Sequence, residues 1–223
     1  IEDMVIYKDD NLIVLNKPSG LAVQGGTNTQ RHIDGMLDAL KFDNDERPKL
    51  VHRIDKDTSG VLVLARNRKT ADLLTKAFRE HTLKKTYLAL VRGVPAKEYG
   101  EIKAPLEKAD GRVQVLEGGK PAVTEYQVLD CVGDKYALLA ASPLTGRTHQ
   151  IRAHLEFIRT PILGDGKYFG TEREKSGMFV HKLHLHAYKI DLSSVYGRKL
   201  IVQAKLPGYF KDSLSTLGLN FRG

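Results

Sequence analysis

Alternating apolar and polar positions divide the chain into many short strands and few helices. Apolar runs at 4–7 and 12–15, separated by the turn sequence KDDN, predict a β-hairpin near the start. Helical spacing of apolar residues predicts helices over 32–40, 69–82, 146–158 and 209–219. Other apolar runs predict strands over 61–65, 86–91, 121–132, 135–142, 181–192 and 198–206.

Short turns between several of these strands indicate that most of the pairing is antiparallel. The pattern therefore predicts an α+β fold with a central mixed, mostly antiparallel sheet flanked by helices and loops. The 223 residues show no internal repeat and no break in composition. One domain over 1–223 is expected, since a chain of this length can bury a single core.

Charge and cysteine content restrict the possible partners. Lys and Arg number 35 against 27 Asp and Glu, and the net charge of +8 favours an anionic partner such as nucleic acid. The lone cysteine, Cys131, excludes an internal disulfide and a cysteine-based zinc site, and it favours a reducing compartment. No apolar run is long enough for a membrane span, so no membrane partner is expected.

A cluster of charged residues precedes the apolar run of the predicted strand 61–65, within the stretch VHRIDKDTSGVLVLAR. Taken alone, Asp55 fits a turn carboxylate that caps a backbone amide. A phosphatase-type nucleophile needs an apolar strand leading into the aspartate, but His52 and Arg53 occupy that approach. A calcium loop is excluded, because apolar residues stand where further oxygen ligands are required.

The segment TGRTHQIRAH (145–154) combines two arginines with a predicted helix that starts after Gly146. On a helical wheel Arg152 shares a face with His149 and Glu156, which by itself predicts an amphipathic helix with a charged outer face. The entry to such a helix, with Arg147 beside it, also offers amides and a cation to an anion.

The remaining candidates carry weaker signals. Tyr87 in KKTYLALVRG is either strand packing or a ring that stacks on a nucleobase beside two lysines. His184 and His186 share one strand face without a carboxylate or cysteine at ligand spacing, so no zinc site is expected. The chain has no glycine-rich phosphate loop and no nucleophile elbow.

Six separated segments occur in a specific order along the chain: VLNKPSGLAVQ, HRIDKDTSG, TYLALVRG, GRTHQIRAH, PILGD and LHA. This succession resembles the RluA-type family of pseudouridine synthases, and the resemblance extends from Val5 to Pro207. Within the family the chain looks closest to the branch that modifies large-subunit ribosomal RNA.

The resemblance implies a single pseudouridine synthase catalytic domain that isomerises uridine in RNA without a cofactor or metal. It implies that Asp55 is the catalytic carboxylate, which either attacks ribose C1′ or removes the proton at C2′. Both routes need an ionised carboxylate next to the sugar.

The same resemblance assigns roles in the pocket. Arg152 matches the arginine that pairs with the catalytic aspartate and holds Asp55 charged, since a nearby guanidinium lowers a carboxyl pKa. Tyr87 matches the tyrosine expected to stack on the target base and to relay the C5 proton. Ile151 is expected to form an apolar wall.

Further residues are expected to bind the RNA. Arg53 would enter the duplex and fill the space left by the flipped nucleotide. His52 would support this loop, residues 58–60 would form the turn that presents Asp55, and Arg147 would contact a phosphate.

Several alternatives stay open at this level. Ribosomal RNA is the expected partner, with tRNA or a mitochondrial RNA as alternatives, and a non-catalytic RNA-binding protein on the same scaffold is the other function considered. A monomer is expected, in the cytoplasm or, in a eukaryote, the mitochondrion. Longer family members carry an N-terminal S4-like RNA-binding module that is not visible here, so the chain is expected to be a catalytic fragment or a form without it.

Overall fold

A computed structural model of the chain describes residues 1–26, 29–169 and 181–221. The strands are β1 (Val5–Lys8), β2 (Leu12–Lys17), β3 (Lys49–Leu50), β4 (Ser59–Ala65), β5 (Lys84–Arg92), β6 (Tyr99–Lys103), β7 (Leu106–Ala109), β8 (Arg112–Val115), β9 (Val123–Val132), β10 (Tyr136–Pro143), β11 (Leu185–Asp191) and β12 (Ile201–Gln203). The α-helices are α1 (Arg68–Arg79), α2 (Gln150–Phe157), α3 (Ser193–Tyr196) and α4 (Gly208–Leu217). The predicted α+β class with mostly antiparallel pairing is confirmed.

The chain divides into two compact units. The first contains Ile1–Lys85 and Ala187–Lys205, and the second contains Thr86–His186 and Leu206–Gly223. The chain passes from the first unit to the second within β5 and returns within β11.

The first unit is built around β2, which lies between β1 and β4 with both pairings antiparallel. The predicted hairpin of β1 and β2 is confirmed, with Tyr7 opposite Val14. All of β4 is buried, which explains its continuous apolar run in place of alternation. Helix α1 packs on β4 and begins at Asn67, whose side chain accepts a hydrogen bond from the Thr70 amide at 2.9 Å.

A glycine allows two backbones of the first unit to meet. Gly60 has φ +107°, a conformation that L side chains rarely adopt, and a Cβ there would run into the carbonyl oxygen of Ala187. The sequence therefore needs glycine at this position of β4.

The second unit contains the strand order β5–β10–β9–β6 and a separate hairpin of β7 and β8. The strands predicted over 121–132 and 135–142 form the antiparallel pair β9 and β10, with Tyr136 opposite Val132. Ile151 and Leu155 of α2 join the core of this unit, which also includes Ala89, Val91, Tyr126, Leu139, Ile162 and Leu183.

Several element bounds differ from the predictions. The segment at 32–40 forms a 3-10 helix over Asp34–Leu40, and α2 begins at Gln150, not just after Gly146. Strands β3, β6, β7 and β8 had no predicted counterpart. Among the described residues, no helix has the length and apolar character needed to span a membrane.

Candidate active site

Asp55 lies in the loop that leads into β4, and it is half-buried. The amide of Thr58 donates to the Asp55 carbonyl oxygen at 3.2 Å, which closes a tight turn. Ser59 and Gly60 already belong to β4, so the prediction that 58–60 form the turn was wrong in its bounds. The turn spans 55–58, and β4 anchors it directly.

A buried lysine holds the same loop from β2. The Lys17 ammonium donates to the carbonyl oxygens of Pro18 at 2.9 Å, Leu21 at 2.8 Å and Lys56 at 2.9 Å. The side chain is fully buried, and its three acceptors match the three N–H groups of an ammonium. Lys17 belongs to the NKPSG segment, and the sequence alone predicts no role for it.

Two further hydrogen bonds fasten this segment to the Asp55 loop. The Ser19 hydroxyl donates to the Asp57 carbonyl oxygen at 2.7 Å, and the Gly20 amide donates to the Lys56 carbonyl oxygen at 3.0 Å. Residues 17–20 therefore fix the backbone on the C-terminal side of Asp55.

The electrostatics of Lys17 reflect its surroundings. Burial lowers the pKa of Lys17 to about 7, against the opposing effect of the nearby Asp57 and Asp55 carboxylates.

His52 supports the start of the loop, as expected for that role. Its Nε2 accepts a hydrogen bond from the Val63 amide at 2.8 Å, and its ring stacks on Phe78 with centroids 4.0 Å apart. Burial, with a smaller effect of the Lys85 charge, lowers the pKa of His52 to about 3. The imidazole is therefore neutral at pH 7, and direct RNA contact by His52 stays a prediction.

Arg53 is exposed beside this loop. Its Nη1 donates to the side-chain oxygen of Gln24 at 3.0 Å. The guanidinium thus points to a surface made by two segments of the first unit.

In the second unit, buried polar contacts fix the start of α2. His149 adopts a left-handed conformation with φ 52°, which ends the preceding loop, and the helix starts at the next residue. The Gln150 side-chain oxygen accepts from the Thr145 hydroxyl at 2.7 Å and from the Arg147 amide at 3.0 Å. Arg147 is exposed, lies before the helix, and donates through Nε to the Pro121 carbonyl oxygen at 3.1 Å.

The predicted charged outer face of this helix was wrong for Arg152, which is buried, while His149 and Glu156 are partly exposed. His154, on another side of the helix, is also buried. His154 contacts the Thr124 hydroxyl at 2.8 Å through Nδ1 and the Ala104 carbonyl oxygen at 3.0 Å through Nε2. Burial lowers the pKa of His154. The polar side of α2 can be buried because neighbouring elements provide hydrogen-bond partners for its polar side chains.

Arg152 forms a two-pronged ion pair that sequence analysis did not find. Its Nε and Nη2 donate to the two carboxylate oxygens of Asp165 at 2.7 and 2.8 Å. The side chains are 6% and 0% exposed. The guanidinium also lies over the ring of Tyr168, 5.0 Å from the centroid. The motif PILGD contained the signal, since it ends in Asp165, but the spacing alone did not connect it to Arg152.

The other predicted pocket residues are placed within the second unit. Tyr87 is half-buried on β5 opposite Ala141 of β10. It packs against the same apolar cluster that contains Ile151. The first unit thus brings together Asp55, Arg53, His52 and Lys17, and the second brings together Arg152, Ile151, Tyr87 and Asp165. An ion pair between Arg152 and Asp55 stays a prediction.

His184 and His186 are buried. His184 is fully buried, with Nε2 2.8 Å from the Ser213 hydroxyl and Nδ1 3.2 Å from the Leu163 carbonyl oxygen. Burial lowers its pKa to about 4. Over residues 1–26, 29–169 and 181–221, no group of three or more His, Cys, Asp or Glu side chains could hold a metal ion.

Comparison with known proteins identifies relatives of the chain. The sequence model described as RNA pseudouridylate synthase matches residues 11–157. A Rickettsia conorii protein named "Ribosomal large subunit pseudouridine synthase C" is 41% identical over 219 residues, covering 96% of this chain and 71% of that protein. An Arabidopsis thaliana protein named "RNA pseudouridine synthase 4, mitochondrial" is 45% identical over 192 residues, covering 74% of this chain and 40% of that protein. The solved structure of "Human RNA Pseudouridylate Synthase Domain Containing 4" has a TM-score of 0.86 and 31% identity, covering 100% of this chain and 95% of that one.

Proposed function

Because the chain belongs to the RNA pseudouridylate synthase family, we propose that Asp55 supplies the carboxylate with which it isomerises uridine in RNA to pseudouridine. In this reaction the N1–C1′ bond of uridine breaks, a C5–C1′ bond forms, C5 loses a proton and N1 gains one. No electrons are transferred to or from an external group.

The observation that carries the proposal is the construction of the Asp55 loop. The buried Lys17 ammonium and β4 hold it from two directions, so the carboxylate is held in place before RNA binds. Lys17 also interacts electrostatically with Asp55, and either chemical route needs an ionised carboxylate.

The roles of the other predicted residues belong to the same proposal. Tyr87 stacks on the target uracil and relays the C5 proton, Arg152 keeps Asp55 ionised, and Ile151 supplies an apolar wall. Arg53 fills the space of the flipped nucleotide, and this role is supported by its exposure on the segment that carries Asp55.

Large-subunit ribosomal RNA is the proposed target, because bacterial relatives are named as ribosomal large subunit pseudouridine synthases. The net charge of +8 fits such a polyanion. Arg147 and His52 are proposed as further RNA contacts. The proposed location is that of the ribosomes, the cytoplasm, or the mitochondrion in view of the plant relative's name.

Tritium release from large-subunit ribosomal RNA transcripts containing 5-tritiated uridine tests the proposal. Asp55→Ala and Asp55→Asn are expected to retain the fold and RNA binding and to release no tritium. Asp57→Asn is the matched control, since it removes the same charge from an exposed position of the same loop. It is expected to keep most of the activity.

Two outcomes contradict the proposal. Substantial turnover by folded Asp55→Ala shows that this carboxylate does not react. Absence of tritium release by the wild-type chain from every cellular RNA favours a non-catalytic RNA-binding role. Mapping pseudouridines in cells that lack the gene then identifies the RNA that loses a site.

A further inference from the structure

The proposed function assigns no role to the segment PILGD (161–165). Its last residue, Asp165, is nevertheless one of the most buried charged groups of the second unit. The Asp165 side chain is 0% exposed and uses both carboxylate oxygens to bind the Arg152 guanidinium. A bidentate ion pair of this kind fixes the plane of a guanidinium as well as its position.

The Asp165 carboxylate is itself held rigidly. Its Oδ1 also accepts hydrogen bonds from the amides of Lys167 at 3.0 Å and Tyr168 at 3.2 Å. These contacts fold residues 165–168 into a turn around the carboxylate. Backbone amides therefore set the orientation of the Asp165 carboxylate, which is the partner of Arg152, and backbone groups move less than side chains.

The backbone before Asp165 is also fixed. Gly164 has φ +70°, and a Cβ at this position would run into the carbonyl oxygen of Lys182. The Leu163 amide donates to the Leu90 carbonyl oxygen of β5 at 2.9 Å. The position of Asp165 thus depends on the sheet of the second unit.

Tyr168 constrains Arg152 from a second direction. Its ring is 1% exposed and lies 5.0 Å from the guanidinium carbon, a cation–π distance. Its hydroxyl accepts from the Val113 amide of β8 at 3.2 Å and lies 3.0 Å from His149 Nδ1. The ring is therefore tied to β8 and to the entry of α2.

We propose that Asp165 and Tyr168 are positioning residues that hold the Arg152 guanidinium in one orientation for the isomerisation. The inference rests on the proposed function, in which Arg152 acts in the reaction. Arginine has a long side chain with many rotamers, and preorganising it removes an ordering step from the reaction. A buried ion pair is weak as a stability device, so a role in orientation fits this arrangement better.

The experiment compares Asp165→Asn with the wild-type chain in single-turnover reactions on a 5-tritiated large-subunit ribosomal RNA transcript. Asp165→Asn keeps the side-chain shape and removes the charge. The rate constant is expected to fall about 10- to 100-fold, while the Kd for RNA changes less than about threefold. Ser213→Ala is the matched control, because it removes a buried hydrogen bond to His184 in the same unit without touching Arg152. It is expected to lower thermal stability and to leave the rate constant unchanged.

A double variant separates positioning from general destabilisation. Since Asp165 acts through Arg152, Asp165→Asn is expected to slow an Arg152→Lys enzyme much less than it slows the wild-type enzyme. The inference is overturned if the two substitutions lower the rate constant by independent factors that multiply in the double variant. It is also overturned if folded Asp165→Asn reacts with the wild-type rate constant.

Tyr168→Phe decides the question if Asp165→Asn does not fold. It keeps the ring over Arg152 and removes the hydroxyl that ties it to Val113 and His149. The expected rate constant is about 3- to 10-fold lower, and an unchanged value overturns the inference. An inactive wild-type chain is a different result, because it contradicts the proposed function itself.

Discussion

The side-chain nitrogen of Lys17 lies 2.9 Å from the carbonyl oxygen of Lys56, so a buried residue of β2 holds the backbone of the residue that follows Asp55. The same nitrogen binds the Pro18 and Leu21 carbonyl oxygens. One side chain thus connects the NKPSG segment to the proposed catalytic loop.

Lys17→Met is expected to destabilise the protein and to slow the reaction. The substitution keeps the apolar stem but leaves three carbonyl oxygens without their donor. The free energy of unfolding is expected to fall by about 3 kcal/mol, measured by urea denaturation. Tritium release from 5-tritiated RNA is expected to slow about tenfold or more, because the loop is displaced.

Lys49→Met is the control for Lys17→Met. It removes the same charge from a lysine that is 41% exposed and pairs with Glu46 at the surface. Its effect on unfolding is expected to stay within about 0.5 kcal/mol. Equal losses of stability in the two variants would show that Lys17 does not hold the loop.

The ion pair of Arg152 and Asp165 gives a second prediction. Arg152→Met leaves a buried carboxylate without its cation, and the free energy of unfolding is expected to fall by about 3–5 kcal/mol. The double variant Arg152→Met/Asp165→Ala also removes the unpaired buried carboxylate. It is expected to regain part of the lost free energy of unfolding. Thermal and urea denaturation of the single and double variants measure the difference. A double variant less stable than Arg152→Met would contradict the prediction.

The parts of the fold that sequence patterns predicted are those in which local signals agree with packing. Helix α1 and the hairpin of β9 and β10 have strong periodicity and clear turns, and both are confirmed. Strands β6 to β8 were missed because the apolar residues of their 99–115 segment are scattered and form no continuous run, and pairing with neighbours stabilises these strands. The start of α2 was misplaced because tertiary hydrogen bonds of Gln150 fix it.

The candidate site was predictable only where a motif carries the chemistry in one segment. Asp55, Arg53 and His52 stand together in the sequence, and the structure places them on one loop. Lys17 and Asp165 were missed as contributors because their partners are distant in sequence. Buried ion pairs and lysine-to-carbonyl contacts have no fixed spacing, so only the folded chain shows them.

Gly60 and Gly118 provide a matched pair for a third prediction. Both have positive φ, +107° and +80°, but only a Cβ at Gly60 would meet another backbone. Gly118→Ala is expected to lower the free energy of unfolding by about 1 kcal/mol, the strain of a left-handed alanine. Gly60→Ala adds a collision with Ala187 and is expected to lose more than about 3 kcal/mol, measured by urea denaturation. Equal losses would show that β4 shifts to make room.

Two buried histidines, His154 and His184, and the half-buried His52 predict a loss of stability in acid. Burial lowers the pKa of His52 to about 3 and that of His184 to about 4, and it lowers the pKa of His154. In the unfolded chain a histidine binds its proton near pH ~6.5. The unfolded state therefore binds more protons below that pH. The stability contributed by the neutral rings is complete above about pH 6.5 and is lost as the pH falls toward the folded pKa values.

The free energy of unfolding is expected to fall by about 1.4 kcal/mol per pH unit for each of His52 and His184, or roughly 2.5 kcal/mol between pH 6 and 5. His154 adds to this loss in the same direction. Urea denaturation at pH 7, 6, 5.5 and 5 measures this slope. In His184→Gln one titrating group is removed, so the slope should fall by about 1.4 kcal/mol per pH unit while Ser213 retains a polar partner. The same slope in the variant and the wild-type chain would show that His184 does not drive acid unfolding. Carboxylates could then account for the loss only below about pH 5, where they begin to protonate.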